Sequence, residues 1–191
     1  MRFSLKLIIL IMTTLLVNSE TALAEVNMTD SDTLEMSLKN GSVIIKLKPN
    51  RAPKHVARIK ELAKQGFYNG VVFHRVIDGF MAQTGDPTGT GMGGSGQKIS
   101  AEFNVEKHVR GTVSMARAMD PNSADSQFFI CFKDAPYLDG NYTVFGEVIS
   151  GMEFVDLIKK GNPQNNGTVE NPDKIISLRL LSQEEAKKYS N

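Results

Sequence analysis

The stretch FHRVIDGFMAQTGD, residues 73–86, decides how the rest of this chain is read. It sets one arginine, Arg75, among Phe73, Val76, Ile77, Phe80 and Met81, and follows with Gln83 and a Gly85-Asp86 turn. A guanidinium keeps its charge at any accessible pH and offers five donors in a rigid fork. Among apolar neighbours it is either tied into an internal pair or aimed at a ligand. The stretch alone leaves both open.

Upstream, Arg2 and Lys6 precede an apolar run, Leu7 to Val17, broken only by two threonines, and Ala22-Leu23-Ala24 has a small-x-small pattern. That order is a secretory signal peptide. A run of eleven residues is well short of the ~20 that span a bilayer, so cleavage after Ala24 is expected rather than retention as an anchor. Residues 1–24 are then signal and 25–32 a lead-in; 33–182 form one domain and 183–191 a loosely structured tail. The signal carries two of the 22 basic and one of the 21 acidic residues, which leaves 20 against 20 and a net charge near zero. A nucleic-acid binder would show a basic excess or stripe, so none is expected as a partner. Cys131, the only cysteine, lies in the apolar run Phe128 to Phe132 and reads as a buried thiol; no intrachain disulfide can form.

From Thr33 the pattern is strands punctuated by turns. Leu34, Met36 and Leu38 alternate with polar residues, Asn40-Gly41 follows, and Val43, Ile45 and Leu47 share the next face. Alternation about an Asn-Gly pair is a strong hairpin signal. Further strands are predicted over 71–77, 111–116, 127–132, 142–148 and 174–181. A helix is predicted over 52–65, with Pro53 in its first turn and Val56, Ile59, Leu62 and Ala63 as its apolar stripe, and a second between Gly151 and Gly161. His55, in that first turn, reads as a surface histidine. Many short strands, few helices and Gly-rich turns predict a mainly β fold, a closed or nearly closed barrel capped by helices.

Several chemistries are disfavoured. Gly89-Thr90-Gly91-Met92-Gly93-Gly94 matches the dinucleotide fingerprint, but no helical stripe follows and no βαβ alternation surrounds it, so it reads as a flexible surface loop. His55, His74 and His108 form no metal-spaced cluster with other ligand types. No serine stands in a G-x-S-x-G elbow. What remains is an arginine, amides and apolar surface.

Three stretches, FHRVIDGFMAQTGD at 73–86, GTVSMARAMDPNSADSQFFICF at 111–132 and YLDGNYTVFGEV at 137–148, together resemble the cyclophilins, the cyclosporin-binding class of peptidyl-prolyl cis-trans isomerases. The resemblance runs from about Thr33 to Leu181. It implies a closed eight-stranded antiparallel β-barrel capped by two helices, with a substrate groove on the outer face and no cofactor. It makes Arg75, Phe80 and Gln83 catalytic. Met81, Phe129 and Leu138 would complete the proline pocket, and Gln127 would add a polar contact. Ala116 and Arg117 would offer the backbone edge that pairs with an extended peptide. Arg117 stands where the family commonly has Asn, Tyr137 where Trp is usual, and Tyr142 where His is usual. The two tyrosines resemble the bacterial branch and imply weak cyclosporin binding with catalysis kept.

The expected function is therefore isomerisation of X-Pro bonds in exported proteins, by a monomer whose partners are proline-containing polypeptides. A binding module or holdase using the same groove is the alternative. Four N-x-Ser/Thr sequons stand at Asn27, Asn40, Asn141 and Asn166. A glycan at Asn141 would crowd the groove beside Leu138 and Tyr142, which points to an unglycosylated periplasmic protein, away from the membrane once the signal is cleaved.

Overall fold

The computed structural model describes residues 30–190; the signal peptide and its cleavage site lie outside the described residues. Eight strands form one antiparallel sheet: β1 (Asp30–Leu38), β2 (Gly41–Leu47), β3 (Arg75–Ile77), β4 (Met81–Thr84), β5 (Thr112–Met115), β6 (Phe128–Cys131), β7 (Val144–Ser150) and β8 (Ser177–Ser182). Their order is β3-β4-β6-β5-β7-β2-β1-β8. The ladder is thus open, with β3 and β8 as edges, which corrects the expected closed barrel. The segments just before these edges meet through isolated contacts, Phe73 N–H to the Asp173 carbonyl (2.9 Å) and Ile175 N–H to the Val71 carbonyl (2.9 Å).

The predicted hairpin is β1–β2. Its turn is Lys39-Asn40, with Gly41 already paired to Leu38. Gly41 is needed for packing: a Cβ there would stand 2.5 Å from the Phe154 ring. Leu34, Met36 and Leu38 point inward, as their alternation requires. β1 begins at Asp30, three residues inside the expected lead-in.

Helix α1 (Pro53–Lys64) buries Val56, Ile59, Leu62 and Ala63. His55 is fully buried as well, which corrects its reading as a surface residue. The cause is non-local. Glu102 accepts from the Lys54 and His55 backbone N–H groups (3.1 Å each) and contacts His55 Nδ1 (2.7 Å), so it caps the helix from outside. Helix α2 (Met152–Asp156) is shorter than predicted. The supposed frayed tail is helix α3 (Gln183–Lys187), closed by a capping box in which Ser182 and Glu185 satisfy each other's backbone N–H.

The strand absent from the sequence reading is β4. Asp78 and Gly79 turn the chain, Phe80 N–H bonds the Ile77 carbonyl (3.0 Å), and Met81 to Gln83 pair back on β3. Each strand then sends alternate residues to opposite faces. Val76, Ala82, Val113, Phe128 and Ile130 enter the main core. Met81, Phe129 and Cys131 go to the other face, where with Ala135 and Leu138 they make a second, smaller cluster. Strand β6 is buried on both faces, which is why its sequence is an unbroken apolar run. Burial pushes the Cys131 thiol up to about 12, so it is inert.

Candidate functional site

The small cluster floors a groove of about 510 Å³. Register assembles it. Arg75 on β3 is opposite Gln83 on β4, and Gln83 is opposite Phe129 on β6, so three side chains share one face of three neighbouring strands. Met81 joins them two residues before Gln83. Phe80 comes from the Asp78-Gly79 turn, and Tyr137 and Leu138 from a short 3-10 turn, Pro136–Leu138. Ala116, Arg117, Asn141 and Tyr142 complete the lining. Ten of the eleven residues expected at the site therefore meet in one groove. Asn141 is an addition.

Arg75 is held by neutral groups. Its Nε donates to the Asn166 backbone carbonyl (3.0 Å), Nη2 to Asn166 Oδ1 (3.0 Å) and Nη1 to Gln83 Oε1 (3.1 Å). Among the described residues no carboxylate pairs with it. Burial lowers its pKa from the usual value, opposed by nearby Tyr142 and Tyr137; a guanidinium is basic enough to stay charged regardless. Three of five donors are used, and Nη1 also lies 3.9 Å from Met81 Sδ. A half-buried guanidinium with a donor to spare faces an apolar wall.

Gln127 stands outside this lining. It lines a neighbouring groove of about 410 Å³, together with Gln83, Ala116 and Arg117. Its Oε1 accepts from Gln83 Nε2 (2.9 Å), and its Nε2 donates to the Gly91 and Gly93 carbonyls (3.0 and 2.8 Å). It therefore orients Gln83, and through it Arg75. The glycine loop at the end of this relay is pinned rather than loose. The buried Asp86 carboxylate accepts from the backbone N–H groups of Thr88, Gly91 and Gly93. Burial works against its charge, but these bonds outweigh it and hold the carboxyl at about 2. A Cβ at Gly93 would strike Asp86 Oδ1, so the loop's glycines serve this carboxylate.

On the opposite wall the Phe129 ring meets Tyr142 edge-on (5.9 Å) and stacks on His108 (6.1 Å). His108 contacts Asp139 Oδ1 through Nδ1 (3.1 Å) and Ser114 Oγ through Nε2 (3.0 Å). Serine, histidine and aspartate thus stand in a row. Ser114 is fully buried and donates to the Thr143 carbonyl (3.0 Å), so it reaches no substrate and supports the wall. Asp139 is held at about 2, chiefly by the His108 backbone N–H.

Of the expected backbone edge, the Ala116 N–H is already bonded to the Gln127 carbonyl (2.9 Å). The Arg117 guanidinium lies over Tyr142, 4.7 Å from the ring centre. Tyr137 is 66% exposed at the rim, 5.8 Å from the Phe80 ring. Asn166 escaped the sequence reading as a site residue. It is 91 positions from Arg75, and only the turn-forming run Asn165-Asn166-Gly167 marks it as a place where backbone must bend.

The model of the cyclophilin type peptidyl-prolyl cis-trans isomerase family matches residues 33–180. A protein of Brucella suis named a probable peptidyl-prolyl cis-trans isomerase is 55% identical, over 78% of this chain and 82% of its own. A peptidyl-prolyl cis-trans isomerase of Helicobacter pylori is 49% identical, over 64% of this chain and 77% of its own. Among solved structures, a cyclophilin from Hirschia baltica aligns with a TM-score of 0.72 at 27% identity, covering 82% of this chain and 76% of that one. A cyclophilin type isomerase from Cryptosporidium parvum, solved in the presence of the dipeptide Ala-Pro, aligns with a TM-score of 0.72 at 30% identity, covering 79% of this chain and 99% of that one. With a family model spanning most of its length and a relative 55% identical over 78% of it, this chain belongs to the cyclophilin-type peptidyl-prolyl cis-trans isomerases.

Proposed function

We propose that the groove grips the proline of an extended polypeptide and that Arg75 drives its isomerisation, in proteins exported to the periplasm. The observation that carries this reading is the Arg75 guanidinium, oriented on three sides by neutral acceptors and left with a donor beside an apolar wall. Phe80, Met81, Phe129 and Leu138 would hold the pyrrolidine ring. Ala116 and Arg117 would align the peptide.

The chemistry needs no base or nucleophile. Isomerisation is slow because amide resonance must be broken, a barrier of ~18–20 kcal/mol. Raising the rate from about 10⁻² to about 10³ per second removes about 7 kcal/mol, at ~1.4 kcal/mol per decade. As the C–N bond twists, the prolyl nitrogen pyramidalises and its lone pair localises. A guanidinium N–H donated to that lone pair is gained only in the transition state, the condition for raising turnover. One charged hydrogen bond contributes ~1.5–3 kcal/mol. The balance comes from holding the ring while the carbonyl side turns, and from an apolar wall that solvates the planar, dipolar amide poorly.

Gln83, Gln127 and Asn166 orient the donor before substrate arrives. Supporting the substrate class is the solved relative in the presence of Ala-Pro; supporting export is the signal pattern of residues 1–24. The test is cis/trans exchange of a short Ala-Pro peptide, read by NMR with catalytic protein. Acceleration by several decades is expected, and exchange at the uncatalysed rate would overturn the reading.

A further inference from the structure

Arg117, with Gln83 and Ala116, lines both grooves. Its guanidinium is fixed in place. Nε and Nη2 donate to the Asn141 carbonyl (3.2 and 3.0 Å), and Nη1 donates to the carbonyls of Ala118 and Met119 (2.9 and 3.2 Å). The Tyr142 ring supports it from below. Four of its five N–H donors are thus used and one, on Nη2, is open. Carbonyl partners orient the group but carry no net charge, and among the described residues no carboxylate pairs with it.

The linings of both grooves are net positive, with Asp125 the one carboxylate against Arg75, Arg117 and Lys98. The main groove is lined by two guanidiniums, Arg75 and Arg117, and by no aspartate or glutamate. In the second groove the only carboxylate is Asp125. Its oxygens already accept from the backbone N–H groups of Ser95 and Gly96 (2.8 and 2.9 Å) and from the Ser95 hydroxyl. Lys98 adds a further positive charge there. A peptide whose proline sits between Phe80, Met81, Phe129 and Leu138 reaches the second groove over their shared lining, Gln83, Ala116 and Arg117. An acidic side chain near the proline would meet a preorganised cation with an open donor, at little cost in ordering. A basic one would meet repulsion.

We propose that Arg117 makes this isomerase select proline segments carrying an acidic side chain within two residues of the proline. The inference rests on the groove being the isomerase site, and the experiment separates the two. Peptides with Glu, Gln or Lys at each position within two residues of a single proline are compared by NMR exchange, with an all-alanine Ala-Pro peptide as reference. At low salt, for at least one position, the wild-type kcat/KM should favour Glu over Lys by about tenfold, with Gln between. In 1 M salt, where the screening length is ~3 Å, the ratio should fall towards unity. Arg117→Asn should bring it to within about twofold. The ratio is internal to each protein, so any general change in turnover cancels. If Arg117→Asn fails to fold, Arg117→Gln, which removes the charge and keeps a longer stem, decides in its place. A wild-type ratio near one at every position, a ratio indifferent to salt, or the same ratio in folded Arg117→Asn overturns the proposal while leaving the isomerase reading intact. No turnover of the reference peptide overturns both.

Discussion

Replacing Asn166 by glycine tests how far the orientation of Arg75 matters. Asn166 has φ +48°, a left-handed conformation that glycine adopts without strain, so this change removes the side chain and little else. What is lost is the 3.0 Å bond from Arg75 Nη2 to Asn166 Oδ1; the bond from Nε to the backbone carbonyl survives. A hydrogen bond from a charged donor contributes ~1.5–3 kcal/mol, and at this exposed rim solvent reduces it to about 1 kcal/mol. At ~1.4 kcal/mol per decade, kcat/KM should fall about threefold to tenfold. The proline is gripped elsewhere, so KM should change by less than about twofold. The melting temperature should drop by no more than about 4 °C, the scale of 1 kcal/mol in a domain of this size. NMR exchange on an Ala-Pro peptide, beside thermal melts, reads all three. In an Arg75→Ala background the same change should cost less than about twofold, because its partner is gone. Wild-type turnover in Asn166→Gly, or an equal loss with and without Arg75, would refute the argument that Asn166 works through the arginine.

Three further outcomes are expected. Burial lowers the pKa of His55, His74 and His108, so the unfolded chain takes up these protons first as pH falls. Stability should be complete above about pH 6.5 and decline below it. It should fall again below about pH 4, where Asp86 and Asp139, held near 2 when folded, are protonated in the unfolded chain. Melting curves from pH 8 to 3 check this, and a flat profile between 7 and 5 would contradict it. Tyr137→Trp should tighten cyclosporin by about 1–2 kcal/mol, one hydrogen bond plus buried area, read by titration of both proteins; equal, tight inhibition would show that Tyr137 does not limit the drug. N-terminal sequencing of the exported protein should begin at Glu25, and a cytoplasmic protein still starting at Met1 would overturn the export reading.

Where local pattern governs, the sequence was informative. The β1–β2 hairpin, the buried stripe of α1 and the apolar run of β6 follow from alternation and helical spacing. The residues that line the groove lie within the three quoted stretches, and strand register explains why they converge. What escaped the reading is mostly non-local. His55 is buried because Glu102, 47 residues on, reaches the start of α1. Between β3 and β8 the ladder stays open, and only isolated bridges such as Val72 with Lys174 and Arg75 with Thr168, from a stretch without periodicity, cross the gap. Asn166 meets Arg75 only through that same stretch. Two signals were local and passed over. Asp78-Gly79 is a hairpin pair that would have separated β4 from β3, and Ser182 with Glu185 is a capping box that would have given α3.

The most direct test of the account is turnover by Arg75→Ala and Arg75→Lys, measured beside thermal melts. Arg75 has neutral partners and no ion pair among the described residues, so its loss should leave the fold intact. Deleting a donor that acts only in the transition state should lower the rate more than tenfold, towards a hundred- to a thousandfold by the ~2.7–4 kcal/mol typical of such donors. Peptide binding should weaken far less. Lysine keeps the charge but loses the planar fork, and should recover little activity. Exchange at the wild-type rate in folded Arg75→Ala protein would contradict the mechanism and leave only a groove that binds proline.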